Sequence, residues 1–190
     1  MFRIGIIGAG WIAHKMTLAL GYTDEACVYA IASRSEDKAR SFAEEHGIPM
    51  AYGSYEAMLD DTEVDLVYIA TPHSHHFAHA MLALEHGKPV LVEKAFTANA
   101  KEAKILIDTA RNKGLFITEA IWTRYMPLSH KIREIMDSGI IGEPRIITAT
   151  LCYMMEHKER IVKPELCGGA LLDLGVYAIN FARMYFGTDI

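Results

Sequence analysis

Cysteine is scarce in this chain. Cys27, Cys152 and Cys167 are few, widely spaced and odd in number, which signals neither a disulfide framework nor a zinc site. Basic charge is also short. Lys and Arg total 19 against 24 Asp and Glu, and a net charge of -5 with no basic cluster gives no case for nucleic-acid binding. No leader pattern is expected, because the first apolar strand begins at Phe2. The most apolar stretch, residues 168–186, is interrupted by Asp173 and Arg183 and reads as a core helix, not a membrane span. Repeats and low-complexity segments are missing. What remains is ordinary globular composition, 51% hydrophobic and 23% charged over 190 residues, enough for one domain or one domain and part of a second. The expectation is a soluble protein of the reduced cytoplasm, with neither a nucleic-acid nor a membrane partner.

Strand and helix signals alternate along the first 120 residues. Strands are predicted over residues 2–7, 28–32, 65–70, 89–92 and 115–118, and helices over 11–20, 36–46, 55–60, 75–86 and 99–113. Gly47, Gly87 and Gly114 serve as stops. This rhythm implies parallel pairing through right-handed crossovers, with helices on both faces of the sheet. Near Ala120 the pattern changes. Residues 126–138 read as a helix, residues 143–153 alternate (Ile147, Ala149, Leu151) like a strand with one exposed face, and residues 168–186 read as a helix. The predicted fold class is therefore α/β: a doubly wound parallel Rossmann sheet over residues 1–120, then an incomplete α+β domain over residues 121–190.

Four places carry chemistry. Gly8-x-Gly10-x-x-Ala13, between the first strand and helix, fits the dinucleotide fingerprint, in which small residues allow a tight turn and close approach of pyrophosphate. The second strand ends in Ser33 and Arg34, with Lys38 one turn on. An NAD-preferring site would place a carboxylate there, so NADP is expected over NAD. Thr71-Pro72-His73-Ser74-His75-His76 follows another strand and suits the wall of a nicotinamide pocket. His75 and His79 share a helix face, but no Cys or carboxylate stands near them in sequence, so no metal site is predicted. Lys94 follows the run from Pro89 to Val92, where a parallel sheet places its ligands, and serves there as a fixed cation or a tuned acid. Asp173 and Tyr177 lie four apart on one helix face.

Together GAGWIA, ATPHSHH, VEKAFTANAKEA, EAIWTRYMP and GGALLDLGVYAI resemble the glucose–fructose oxidoreductase/inositol dehydrogenase (Gfo/Idh/MocA) family across essentially the whole chain. The last two segments are most similar to its branch of dihydrodiol dehydrogenases and NADP-dependent D-xylose dehydrogenases. The resemblance implies a Rossmann domain followed by a mostly antiparallel sheet domain, whose later strands lie beyond Ile190, so the chain reads as shortened at its C-terminus. It also implies dinucleotide contacts from Gly8, Gly10, Trp11, Ile12, Ser33, Arg34, Lys38, Thr71, Pro72, His73, His76, Glu93, Lys94, Trp122 and Arg124. The family's Glu-Lys-Pro motif stands here as Glu93-Lys94-Ala95, without the proline but with the lysine.

The activity so implied is hydride transfer between NADP and a secondary alcohol of a sugar or trans-dihydrodiol, with Lys94, Tyr177 and Asp173 as the catalytic set. A free tyrosine has a pKa of about 10, so Tyr177 as base needs help, and the Lys94 cation would favour tyrosinate. A non-catalytic nucleotide-binding sensor of the same fold, or an inactive fragment, remains the alternative. A small-molecule sugar or diol is the expected partner, with homo-oligomer formation through the second domain.

Overall fold

The computed structural model describes residues 1–155 and 157–187. It divides into two compact units, Met1–Ala120 and Ile121–Ile190.

The first unit contains six strands: β1 (Phe2–Ile7), β2 (Ala26–Ala32), β3 (Met50–Tyr52), β4 (Leu66–Ile69), β5 (Val90–Val92) and β6 (Ile117–Glu119). All are parallel, in the order β3-β2-β1-β4-β5-β6. Five helices connect them: α1 (Trp11–Leu20), α2 (Glu36–His46), α3 (Tyr55–Leu59), α4 (His73–Glu85) and α5 (Ala100–Lys113). The chain runs outward from β1 in one direction, then returns to place β4 on its other side. That reversal creates the crevice where such sheets bind ligands.

Strand residues alternate between two cores. Ile4, Ile6, Ile31 and Tyr68 pack with Ala13, Ala39, Phe42 and Ala43 of α1 and α2. Ile7, Val67, Ile69, Val90 and Val92 pack with Met58 of α3, Leu84 of α4 and Leu106 of α5. Burial on both faces explains why the strands read as continuous apolar runs. Each fully buried aliphatic side chain contributes about 1.5–3 kcal/mol, and Ile6, Ile7, Ile31 and Ile69 are all completely covered. Gly5 sits where a Cβ would come within 2.9 Å of Val64, so this one position of β1 has no room for a side chain.

Strand β3 was not expected from the sequence. It is three residues long at the sheet edge, and its pairing with β2 rather than its own pattern makes it a strand. Helix α4 begins at His73, two residues earlier than the periodicity predicts, because Pro72 occupies the cap position with extended backbone. Helices α2 and α5 end at Gly47 and Gly114, both left-handed, as expected.

The second unit holds a 3₁₀ turn (Trp122–Tyr125), α6 (Pro127–Asp137), a short helix α7 (Glu159–Val162), a second 3₁₀ turn (Pro164–Leu166), and a π-helical turn (Leu171–Gly175) leading into α8 (Val176–Phe186). The strand expected over residues 143–153 does not form. These residues have no regular hydrogen-bonded structure among those described, since an alternating pattern cannot hold a strand without a partner to pair with. The last helix is not a core helix either. Leu171, Ile179 and Phe181 are exposed, and little of the apolar stretch Pro164–Phe186 is buried. By length and composition alone that stretch would suit a bilayer, yet it includes Asp173 and Arg183. Gly168 lets it start tightly: a Cβ there would lie 2.4 Å from the carbonyl oxygen of Ile161.

Candidate functional site

The helices of the first unit start in two different ways. Ser35, Ser54 and Asn99 cap α2, α3 and α5 with side-chain oxygens, and each of these helices has an acidic residue in its first turn. Helices α1 and α4, which follow the two strands flanking the crevice, have neither a side-chain cap nor an acid. Their leading N–H groups are thus available to an anion.

The turn before α1 is shaped by two glycines with different tasks. Gly8 has φ +103°, and a Cβ on it would lie 2.9 Å from Thr71 Cγ2, so both backbone and space demand glycine. A Cβ on Gly10 would meet nothing within 4 Å. The open space at Gly10, against the uncapped helix start, fits a pyrophosphate. Ala13 is fully buried and lets α1 pack tightly on the sheet. Trp11 is exposed and carries the Lys15 ammonium 5.6 Å from its ring centroid, while Ile12 is half-buried.

At the end of β2, Ser33 is buried, and its Oγ accepts from the Ser35 N–H at 3.4 Å. Arg34 and Lys38 are exposed. The Arg34 charge acts on Tyr55 and His79. Burial raises the Tyr55 pKa, and Arg34 pulls it back. Burial, then His75 and Arg34, push His79 down to about 4.

Around Lys94 the turn is held from below. Glu93 is buried; it accepts a hydrogen bond from the Tyr68 hydroxyl, and its other oxygen accepts from the Lys94 N–H at 3.1 Å. Burial raises the Glu93 pKa, opposed by these two donors. The Lys94–Ala95 peptide bond is cis. His76, fully buried, spans the carbonyls of Ala95 (2.7 Å) and Thr71 (2.8 Å) through its two ring nitrogens. The Phe96 N–H donates to Glu119 at 2.8 Å. His73 is buried, Pro72 is exposed, and Thr71 Oγ1 pairs with His79 at 3.0 Å. Tyr68 and Glu119 were not singled out in the sequence. A lone hydroxyl within the aliphatic run Leu66–Ile69 was the available signal for Tyr68.

In the second unit, Trp122 Nε1 donates to the Tyr177 hydroxyl oxygen at 3.0 Å, with the rings edge-to-face at 6.3 Å. Arg124 Nε donates to Asn180 Oδ1 at 2.7 Å. Asp173 is buried and ion-paired with Arg160. Arg160 lies on α7, an element not anticipated from the sequence, so this partner was not foreseen.

A doubly wound parallel sheet with a glycine turn and an open, uncapped helix start at its reversal point defines a dinucleotide-binding unit. The family model described as "Oxidoreductase family, NAD-binding Rossmann fold" matches residues 2–120, and the GFO/IDH/MocA C-terminal domain model matches residues 129–190. The chain belongs to the Gfo/Idh/MocA family. It is 41% identical over 187 residues to trans-1,2-dihydrobenzene-1,2-diol dehydrogenase of Macaca fascicularis, covering 97% of this chain and 56% of that protein. Over 140 residues it is 50% identical to D-xylose 1-dehydrogenase (NADP(+)) of Hypocrea jecorina, covering 68% of this chain and 36% of that protein. The crystal structure of KijD10, a 3-ketoreductase from Actinomadura kijaniata in complex with NADP and TDP-benzene, is similar with a TM-score of 0.84 and 33% identity, over 98% of this chain and 57% of that one. The chain thus spans little more than half the length of the dihydrodiol dehydrogenases it matches. It is an NAD(P)-binding oxidoreductase-family protein.

Proposed function

We propose that the protein acts with NADP to transfer a hydride between nicotinamide and a secondary alcohol of a sugar or trans-dihydrodiol. The observation that carries the cofactor choice is the end of β2. The segment Ile31-Ala32-Ser33-Arg34 supplies a hydroxyl and a guanidinium where an NAD site would use a carboxylate. The activities of the D-xylose and dihydrodiol dehydrogenases that this chain resembles support the substrate class.

In this reading Gly8, Gly10, Trp11 and Ile12 receive the pyrophosphate, and Ser33, Arg34 and Lys38 receive the 2′-phosphate. Thr71, Pro72 and His73, with Trp122 and Arg124, line the nicotinamide end. Glu93 and His76 face inward, and their part is to hold the backbone on either side of Lys94. Hydride chemistry belongs to the nicotinamide ring, and the chain supplies positioning and proton transfer. Lys94 is the fixed cation that holds the substrate oxygen. Tyr177 takes the hydroxyl proton as the neighbouring C–H bond gives up its hydride. The Trp122 N–H favours that role, because it remains a donor to the phenolic oxygen once the proton has left. Asp173, pinned by Arg160, fixes the turn that carries Tyr177. A cytoplasmic location belongs to the same proposal, in keeping with the free thiols of Cys27, Cys152 and Cys167.

The test is NADP reduction followed spectrophotometrically with D-xylose and with trans-dihydrodiols. Tyr177→Phe should lower turnover by about a hundred-fold while leaving NADP affinity unchanged. Arg34→Ala should weaken NADP binding by about ten-fold and leave NAD binding alone, the scale of one charged hydrogen bond. Equal losses for both cofactors would remove Arg34 from the 2′-phosphate site. Tight NADP binding without turnover on any of these alcohols would favour a nucleotide-responsive, non-catalytic protein.

A further inference from the structure

On the α1–α2 side of the dinucleotide-binding unit, the fold brings together three residues that the dehydrogenase reading does not use. His14 lies on α1, and Glu45 and His46 end α2, more than thirty residues away in sequence. His14 Nδ1 is 3.0 Å from His46 Nε2, and Glu45 Oε1 is 4.0 Å from the first nitrogen and 3.7 Å from the second. Three donors so spaced leave one point roughly 2.1 Å from each, the length of a Zn–N or Zn–O bond. We propose that His14, Glu45 and His46 form a binding site for a divalent transition metal of the zinc class.

The donor set suits that class. Two imidazoles and one carboxylate favour Zn²⁺ and its neighbours over Mg²⁺ or Ca²⁺, which prefer all-oxygen shells. Three protein ligands leave a fourth position for water, the arrangement of an open zinc site. The ligands also differ usefully in mobility. The His46 side chain is only 7% exposed, and its ring packs 4.5 Å from that of Phe42, so it provides a fixed point. His14 is 36% exposed and Glu45 64%, which gives the metal an approach and lets both donors close on it. A bound ion would clip the helix that follows β1 to the helix that follows β2.

A plain hydrogen bond between the two imidazoles is the competing account, and metal titration separates the two. The 190-residue chain is stripped with chelator, then titrated with Zn²⁺ by calorimetry and with Co²⁺ by visible absorption. One equivalent should bind, with the d–d bands of a four- or five-coordinate cobalt site, and zinc should raise the melting temperature by mass action. His14→Gln should weaken zinc binding by about ten-fold or more and shrink the thermal shift in step. Glu45→Gln should weaken it less. His46→Gln should match His14→Gln, but because that ring is packed in the fold, the half-exposed His14 carries the test. His75→Gln, on another helix, should bind as the parent does. Zinc uptake and thermal shift that are the same in His14→Gln as in the parent would overturn the proposal, as would no uptake by the parent at micromolar zinc.

Discussion

His76 is fully buried, and each of its ring nitrogens faces a backbone carbonyl. A neutral imidazole donates through one nitrogen only, so the two carbonyls favour the charged form while burial favours the neutral one. Burial wins, and the pKa falls to about 4. In the unfolded chain the same group titrates near 6.5, so the unfolded state binds more protons between those values. Folding stability is therefore complete above about pH 6.5 and declines as the pH falls toward 4, at up to about 1.4 kcal/mol per pH unit for this residue. His79, also lowered to about 4, acts in the same direction with a smaller weight because it is less buried. Urea midpoints measured from pH 7 to 4 should fall across this window, and the slope should flatten in His76→Gln. A midpoint that stays level between pH 6.5 and 4.5 would contradict this. The histidines of the Thr71-Pro72 turn could be picked out in the sequence, but the task of His76 could not. Its partner Ala95 is 19 residues away and offers only a backbone carbonyl, which no side-chain pattern marks.

Among the helices, the contrast between capped and uncapped starts separates stability from binding. Gly10→Ala places a methyl group in open space at a backbone conformation that alanine tolerates (φ -113°, ψ -174°), so unfolding free energy should change by no more than about 0.5 kcal/mol. The same methyl fills the space assigned to pyrophosphate, so NADP affinity should fall by about ten-fold or more. Asn99→Ala should do the reverse. It removes the oxygen that accepts from Glu102 N–H at 3.0 Å and should cost about 1 kcal/mol, with cofactor binding unaltered. Paired denaturation and cofactor titrations check both variants. Helices α2 and α5 were legible with nearly their true ends, because glycine stops and polar starts act within a few residues. Strand β3 and the irregular path of residues 143–153 were not. Pairing decides whether a short or alternating segment becomes a strand, and pairing depends on residues far along the chain.

For the molecule as a whole, the Rossmann unit contains its own sheet and both of its cores. Residues 1–120 alone should fold cooperatively and bind NADP with an affinity close to that of the 190-residue chain. The second unit presents Leu171, Ile179 and Phe181 to solvent along its last helix. Such apolar surface favours association. The 190-residue chain should therefore form concentration-dependent oligomers in light scattering, while residues 1–120 stay monomeric. A strictly monomeric 190-residue chain would argue against self-association through that face. The division near Ala120 was visible as a change of rhythm in the sequence. The exposure of the last helix was not, since an apolar run looks the same whether it is covered or bare.

The turn that carries Lys94 is fastened by Tyr68, His76 and Glu119, whose contacts to it run beneath the surface or along the strand ends. Tyr68 and His76 are buried and Glu119 is half-buried. The scaffold can accordingly exchange its outward side chains through gene drift or laboratory selection without loosening the lysine. Substrate range is then the trait most open to change in this molecule, and the lysine's seat the least.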